Sequence, residues 1–453
     1  MLYEAERGEF SLALAGDTML TRKLMPFKEE RFLALREILT GCDAVFANLE
    51  GTVHTWDEGT PGITQGTFMT TEPSLLDDLK WLGINLVSCA NNHAFDYGED
   101  GVLANLKHLQ TAGIAHAGTG KNLSEARAPG YLDTANGRVG LIATTAAFRP
   151  WNQAGEQRPD LGGRPGINPL GFRTTYNVDA AAFEQLKRIS RELGFEKSTE
   201  RARKHFYSDK EIPNAQGAEL NLLGNRYVAG EGFSIATEAN ERDLQDNLRW
   251  IREARRQSDW LIVSGHCHEF GGPSLLTAGT RAELEDVADF LIKFAHQAID
   301  EGADVFVGHG SHFPMGIEIY KGKPIFYSVG NFVFQNETVR FFPADAYERF
   351  DLDLRATPSD FLDARTNGGK KGHPSDRAYW ENMFAVCRFA KNKLTEIHVH
   401  PIDQGFGRPR PQRGRPLLAE GEVAERVLER VTRLSRRYGT IVSNRNGVGV
   451  IEL

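Results

Sequence analysis

The sequence predicts an α/β protein, and three observations predict it. Short apolar runs alternate with segments of helical spacing over the first 145 residues. Those runs stop at Gly, Asp, Asn or His rather than fading into alternating polarity, as buried strands do. The same pattern returns near residues 260, 305 and 324.

Taken in order, Phe10–Ala15 is a buried strand that stops at Gly16-Asp17, and 29–39 has helical spacing. Asp43–Leu49 is a second strand, followed by Glu50-Gly51. Ser74–Leu82 carries a helical apolar stripe and leads into the strand 85–88. The helix 101–112 is closed by Gly113, a residue suited to the left-handed end of a helix. Further strands follow at 115–118 and 139–144. From about 150 to 245 the text turns rich in Pro, Gly and charge with weak apolar stripes, which reads as an insertion bordering the main domain. Strands resume at 260–264, 305–307 and 324–328. An antiparallel pair is expected at 383–389 and 394–399, with a helix at 419–438. The expected organisation is one domain with a core of about 9–150 and 258–335, the insertion, and C-terminal strands and helix over about 383–453.

Composition excludes several classes. The 453 residues hold 53 Lys+Arg against 61 Asp+Glu, a net −8, so no basic footprint for nucleic acid is expected. No run of 18 apolar residues exists, so no transmembrane segment is expected. Acidic residues stand where a signal peptide needs basic ones, and the four cysteines have no close pairing, which together read as a cytoplasmic protein.

Chemistry concentrates at the strand exits, where α/β proteins place it. Asp17 follows the first strand, Glu50 the second, Asn91-Asn92-His93 the third, His266 the fourth and His309 with His312 the fifth. Alone, each has a plain alternative as a turn or helix cap. Together, carboxylate, amide and imidazole donors form a mixed N/O set suited to one or two divalent ions, Mn, Zn or Fe. A carboxylate able to bridge, Glu50, would fit a binuclear centre that activates a water.

The stretches LALAGDTMLTRKL (12–24), DAVFANLEGTV (43–53), VSCANNHAFDYGEDGVLANLKHLQTAGIAHAGTG (87–120) and GADVFVGHGSHFPMGIEIYKGKPIFYSVGNFVF (302–334) resemble the CapA family of poly-γ-glutamate capsule biosynthesis proteins. That family is related to the calcineurin-like metallophosphatases. The resemblance implies a four-layer α/β/β/α sandwich with inserted segments. It implies that Asp17 and His312 ligate one ion, Asn92 and His309 a second, with Glu50 bridging and His266 available as a further ligand. His93 would be the catalytic histidine, oriented by Asp96. Arg22 and Asn91 are expected to contact substrate, and His268 and Glu269 either to contact substrate or to stand in for His266 as a ligand. Met19 stands where the superfamily pattern has a histidine, so the first site is one ligand short. The function implied is a metal-dependent hydrolase of an anionic amide, γ-glutamyl or peptide-like, or of a phosphoester. Two alternatives stand beside it: a phosphodiesterase or phosphomonoesterase, and a non-catalytic accessory protein of capsule or polyglutamate synthesis.

Overall fold

The computed structural model describes residues 8–63, 66–207, 217–271 and 285–453. The chain divides into two compact units, one of residues 1–170, 242–268 and 294–453, the other of 171–241 and 269–293.

The first unit holds two large sheets, besides two-stranded pairs of Thr52–Val53 with Thr70–Thr71 and of Thr119–Gly120 with Gly166–Ile167. The strands of the large sheets are β1 (Phe10–Met19), β2 (Ala44–Leu49), β3 (Leu86–Ser88), β4 (Ala115–Ala117), β5 (Gly130–Thr134), β6 (Gly137–Thr145), β7 (Trp260–His266) and β8 (Val305–His309). They continue with β9 (Ile317–Tyr320), β10 (Lys323–Phe326), β11 (Asn331–Phe334), β12 (Glu381–Ala390), β13 (Lys393–Asp403), β14 (Leu417–Leu418), β15 (Ser443–Arg445) and β16 (Val448–Glu452). The larger sheet runs β15-β16-β13-β12-β1-β2-β3-β4, with β11 beside β1 and β14 beside β13. The smaller runs β9-β10-β8-β7-β6-β5.

Alternation of side chains across each strand explains the layering. In β1, Phe10, Leu12 and Leu14 enter a core shared with Val139, Leu141, Trp260, Ile262, Val305 and Val307 of the smaller sheet. Ala13 and Ala15, on the opposite face, meet Phe32, Leu35 and Leu39 of helix α1 (Glu30–Thr40). The two sheets are therefore pressed face to face, with Phe10 stacked on Trp260 at 4.8 Å between ring centroids and 10° between planes. Such a pair adds about 1 kcal/mol beyond the area it buries. On the far face of the smaller sheet, Phe294 meets Phe306 edge-on at 5.9 Å. Helix α2 (Gly98–Ala112) ends at Gly113 with φ 68°, as its glycine foretold.

Several strands run longer than their apolar text. β1 continues through Asp17 to Met19, β7 through His266 and β8 through His309, so these polar residues are paired strand residues rather than loop residues. Hydrogen-bonded pairing across parallel neighbours outlasts the hydrophobic pattern. The second unit contains a four-stranded sheet of Phe172–Val178, Glu219–Leu222, Asn225–Ala229 and Ser234–Ala239. Phe183, Val178, Leu220 and Leu222 form its small core. The sequence did not announce these strands, because most of their residues are only partly buried and their alternation is weak. Among the described residues no helix is long and apolar enough to cross a membrane.

Candidate metal centre

The site is built by register. Parallel pairing sets Asp17 opposite Asn48 of β2 and Asn331 of β11, and both pairings slip at Asp17. Such irregularities re-aim a side chain out of the sheet alternation. Gly16 makes the approach possible, since a Cβ there would lie 1.8 Å from the Gly330 carbonyl oxygen. In the smaller sheet His266 pairs directly with His309. Beyond β8 the chain turns sharply at Gly310, φ 105°, and His312 sits in the left-handed region at φ 64°. A non-glycine residue held there is a local strain that the surroundings must fix. The Gly310 N–H donates to Asp17 Oδ2 at 3.1 Å, locking this turn to β1.

Two groups of donors result. Asp17, His266 and His309 each present an atom within 4.8 Å of the others, and so do Glu50, His268 and His312. Asp17 touches both groups: Oδ1 lies 3.7 Å from His309 Nδ1 and Oδ2 3.2 Å from His312 Nδ1. His312 Nε2 is 3.9 Å from Glu50 Oε1. The imidazoles crowd each other, with His266 Nδ1 at 2.9 Å from His309 Nδ1 and His266 Nε2 at 3.1 Å from His268 Nε2. Outer partners hold the rings: Ser264 Oγ on His309 Nε2 at 2.6 Å, and Asn331 Oδ1 on His312 Nδ1 at 3.0 Å. Asn48 Nδ2 donates to Asp17 Oδ1 at 2.8 Å.

Whether these residues suit a cation is decided by what they leave unsatisfied. Glu50 is wholly buried, yet neither carboxylate oxygen has a hydrogen-bond partner, and Asn92 Oδ1 is likewise buried and unpaired. Buried acceptors without donors are rare because each costs about 1–3 kcal/mol. Burial pushes the Glu50 carboxyl well above the usual range, and the neighbouring Asp17 charge adds to it. Asp17 stays below its ordinary value: burial raises it, but the His312 contact and the His312 and His309 charges outweigh that. Burial, then neighbouring imidazoles, pull His266 well below 6.5. Burial likewise brings His268 to about 3 and His309 to about 4. Imidazoles and hard oxygens converging in this way, with the Glu50 oxygens unpaired, fit a divalent cation.

Beside the donors stands an oriented histidine. His93 Nδ1 donates to Asp96 Oδ2 at 2.7 Å, and Asp96 also accepts the Met69 N–H at 2.8 Å. This leaves His93 Nε2 toward Glu50, 3.9 Å from Oε1. Asn91 supports the loop, its Oδ1 accepting the His93 N–H while its Nδ2 donates to the Leu49 carbonyl at 2.9 Å.

The sequence candidates thus divide. Asp17, Glu50, His93, His266, His268, His309 and His312 gather in one place, and His268, expected either as a substitute ligand or at the substrate, lies within the second donor group. His312 stands with Glu50 and His268 while also lying 3.2 Å from Asp17, and His309 stands with Asp17 and His266. Met19 packs with Phe334 and Trp380 in an apolar cluster. Arg22 lies with Gln335 and Pro411: its N–H donates to Gln335 Oε1 and its Nη1 to the Pro411 carbonyl. Glu269 falls in the second unit. Sequence reasoning passed over Ser264, hidden inside an apolar strand, and His373, whose ring lies 5.4 Å from that of His312. His373 follows no strand, so no strand-exit signal marked it.

Residues 11–336 match the family model described as "Bacterial capsule synthesis protein PGA_cap". The chain belongs to the PGA_cap family. All the gathered donors lie inside the PGA_cap match, whereas His373 lies beyond it. The chain is 34% identical to "Uncharacterized protein y4sH" of Sinorhizobium fredii over 98% of its own length and 93% of that protein's. It is 23% identical to "PGA biosynthesis protein CapA" of Bacillus subtilis, covering 73% of this chain and 64% of that protein. A "Probable polyglutamine synthesis accessory protein" of Mycobacterium tuberculosis is 24% identical over 70% of the chain and 60% of its own length.

Proposed function

We propose that the chain is a metal-dependent hydrolase of the CapA-like type, acting on an anionic amide of γ-glutamyl or peptide-like character or on a phosphoester. We read the paired sheets with their outer helices as the four-layer sandwich of the metallophosphatases. The observation that carries the reading is the pair of three-residue donor groups, Asp17 with His266 and His309, and the buried, unpartnered Glu50 with His268 and His312, joined where Asp17 Oδ2 lies 3.2 Å from His312 Nδ1.

Asp17, His266 and His309 would hold one divalent ion, Glu50, His268 and His312 another, and Asn92 Oδ1 supplies a spare oxygen. Ions bound there supply Lewis acidity and lower the pKa of a water. The rest is the work of the chain. His93 Nε2 faces the cluster and, when protonated, gives its proton to the departing oxygen or nitrogen. Asp96 fixes the ring by its 2.7 Å contact and stabilises the imidazolium. Asn331, Ser264 and Asn48 keep the donor atoms from rotating away.

A second reading has one support, the word "accessory" in the names of the mycobacterial relatives. Metal analysis of the purified protein, followed by assays on bis-p-nitrophenyl phosphate and on γ-glutamyl amides, separates the readings. Stoichiometric metal with turnover of either substrate supports the hydrolase, and which substrate is cut decides between amide and phosphoester chemistry. Absence of metal, with no turnover and no effect of His93→Ala, sinks the hydrolase.

A further inference from the structure

The segment after the family match brings a cation toward the cluster. Helix α3 (Pro358–Thr366) begins at a reciprocal cap between Thr357 and Asp360. It buries Phe361 and Leu362 in a cluster with Met19, Phe68 and Phe334. Arg365 is four residues after Phe361 and three after Leu362, so it shares their inward face. Its Nη1 donates to Thr67 Oγ1 at 2.6 Å, and among the described residues no carboxylate pairs with it. Thr67 is two residues before Met69, whose N–H holds Asp96. A half-buried guanidinium offers five donors in a planar fork, and here one acceptor is supplied. Burial lowers its pKa, with the Arg349 charge second.

His373 packs on Phe334, which shares one cluster with Phe361 and Leu362 of α3. Its ring is 5.3 Å from that of Phe334 and 5.4 Å from that of His312. Asn336 Nδ2 donates to its Nδ1 at 3.3 Å, which leaves the proton on Nε2 as a further donor. Uncompensated positive charge and spare donors next to a set of metal-type ligands are what an anion requires.

We propose that Arg365, with His373 beside it, anchors an anionic group of the substrate, a carboxylate or a phosphate, next to the imidazole cluster. The inference rests on the hydrolase reading, because an anchor bears on reaction only if the bond is cut at that cluster. It makes Arg365 a specificity-determining residue supplied by this chain outside the shared family segment.

The test uses the full-length chain in chelator, so that no cation contributes. Wild type, R365Q and R365K are titrated calorimetrically with γ-L-glutamyl-L-glutamate and, separately, with inorganic phosphate. R365Q keeps a hydrogen-bonding group for Thr67 but no charge, and R365K keeps the charge without the fork. Expected is binding of at least one anion by wild type, weakened about 10- to 100-fold in R365Q and partly restored in R365K. The dipeptide binding alone marks a carboxylate substrate, and phosphate alone a phosphoester. Equal affinity in R365Q, or no binding of either anion by wild type, overturns the inference. Should R365Q not fold, R365K decides, because an affinity equal to wild type shows that the fork is not used. Zn²⁺ affinity, measured on the same variants, should stay within about twofold of wild type. If wild type binds no Zn²⁺ while the Arg365 effect persists, the hydrolase reading fails and the anion site stands; the opposite pattern fails the anchor alone.

Discussion

Replacing Glu50 by Met should stabilise the chain in one condition and weaken it in another. Glu50 is fully buried and both its oxygens lack partners. In chelator it therefore carries an uncompensated desolvation cost of about 1–3 kcal/mol, which a flexible apolar side chain of similar length removes. With a divalent ion at 100 times its dissociation constant, wild type gains about 2.7 kcal/mol from binding, and E50M loses most of that with its ligand. The two melting curves should cross. E50M melts higher than wild type in EDTA, by a few degrees for about 2 kcal/mol, and lower in excess Zn²⁺ or Mn²⁺. Differential scanning calorimetry at fixed pH in both buffers reads the two shifts. If E50M is destabilised equally in both, Glu50 is a packing residue and the reasoning from its orphaned oxygens is refuted.

Other expectations follow from the same geometry. His93→Ala should reduce turnover about 10²- to 10⁴-fold with metal content unchanged, and Asp96→Asn less, as steady-state rates and metal analysis would show. Gly310→Ala should weaken metal binding and lower stability by about 1–3 kcal/mol, because at φ 105° its Cβ would lie 2.6 Å from the Cys267 carbonyl; unaltered Zn²⁺ affinity by calorimetry would contradict this. His400 stacks on Phe384 at 4.8 Å, and burial lowers its pKa from 6.5 to about 4. The unfolded chain thus binds the extra proton between those values, so stability is full above about 6.5 and falls as pH drops toward 4, by up to about 3 kcal/mol. His400→Phe should flatten the decline in melting temperature between pH 7 and 5, and an unchanged slope would count against it.

Much of this was legible as text. The apolar runs ended at Asp17, Glu50, Asn92, His266 and His309 because polar donors at one sheet edge leave a visible break in hydrophobicity. What the text withheld was everything set by register. Which histidine joins which carboxylate depends on β7 and β8 pairing His266 with His309, and on the Gly310 turn swinging His312 toward Asp17. Met19 read as a missing ligand, whereas the text named His268 without deciding between ligand and substrate contact, and the structure sets it in the donor group with Glu50 and His312. Arg365 was invisible for another reason: its lack of a carboxylate partner among the described residues is a property of the folded surroundings, and in sequence it is one arginine among many.

Asp17 meets the Gly310 amide across 293 residues of chain. At ribosomal speeds of roughly 5–20 residues per second, that is about 15–60 s of synthesis. Throughout that interval the nascent polypeptide carries its first carboxylates with nothing to close around them. A product cut short before β8 would hold Asp17 and Glu50 without either of the last two imidazoles. The full set of donors is thus assembled late, only once β8 and the turn beyond it have been made.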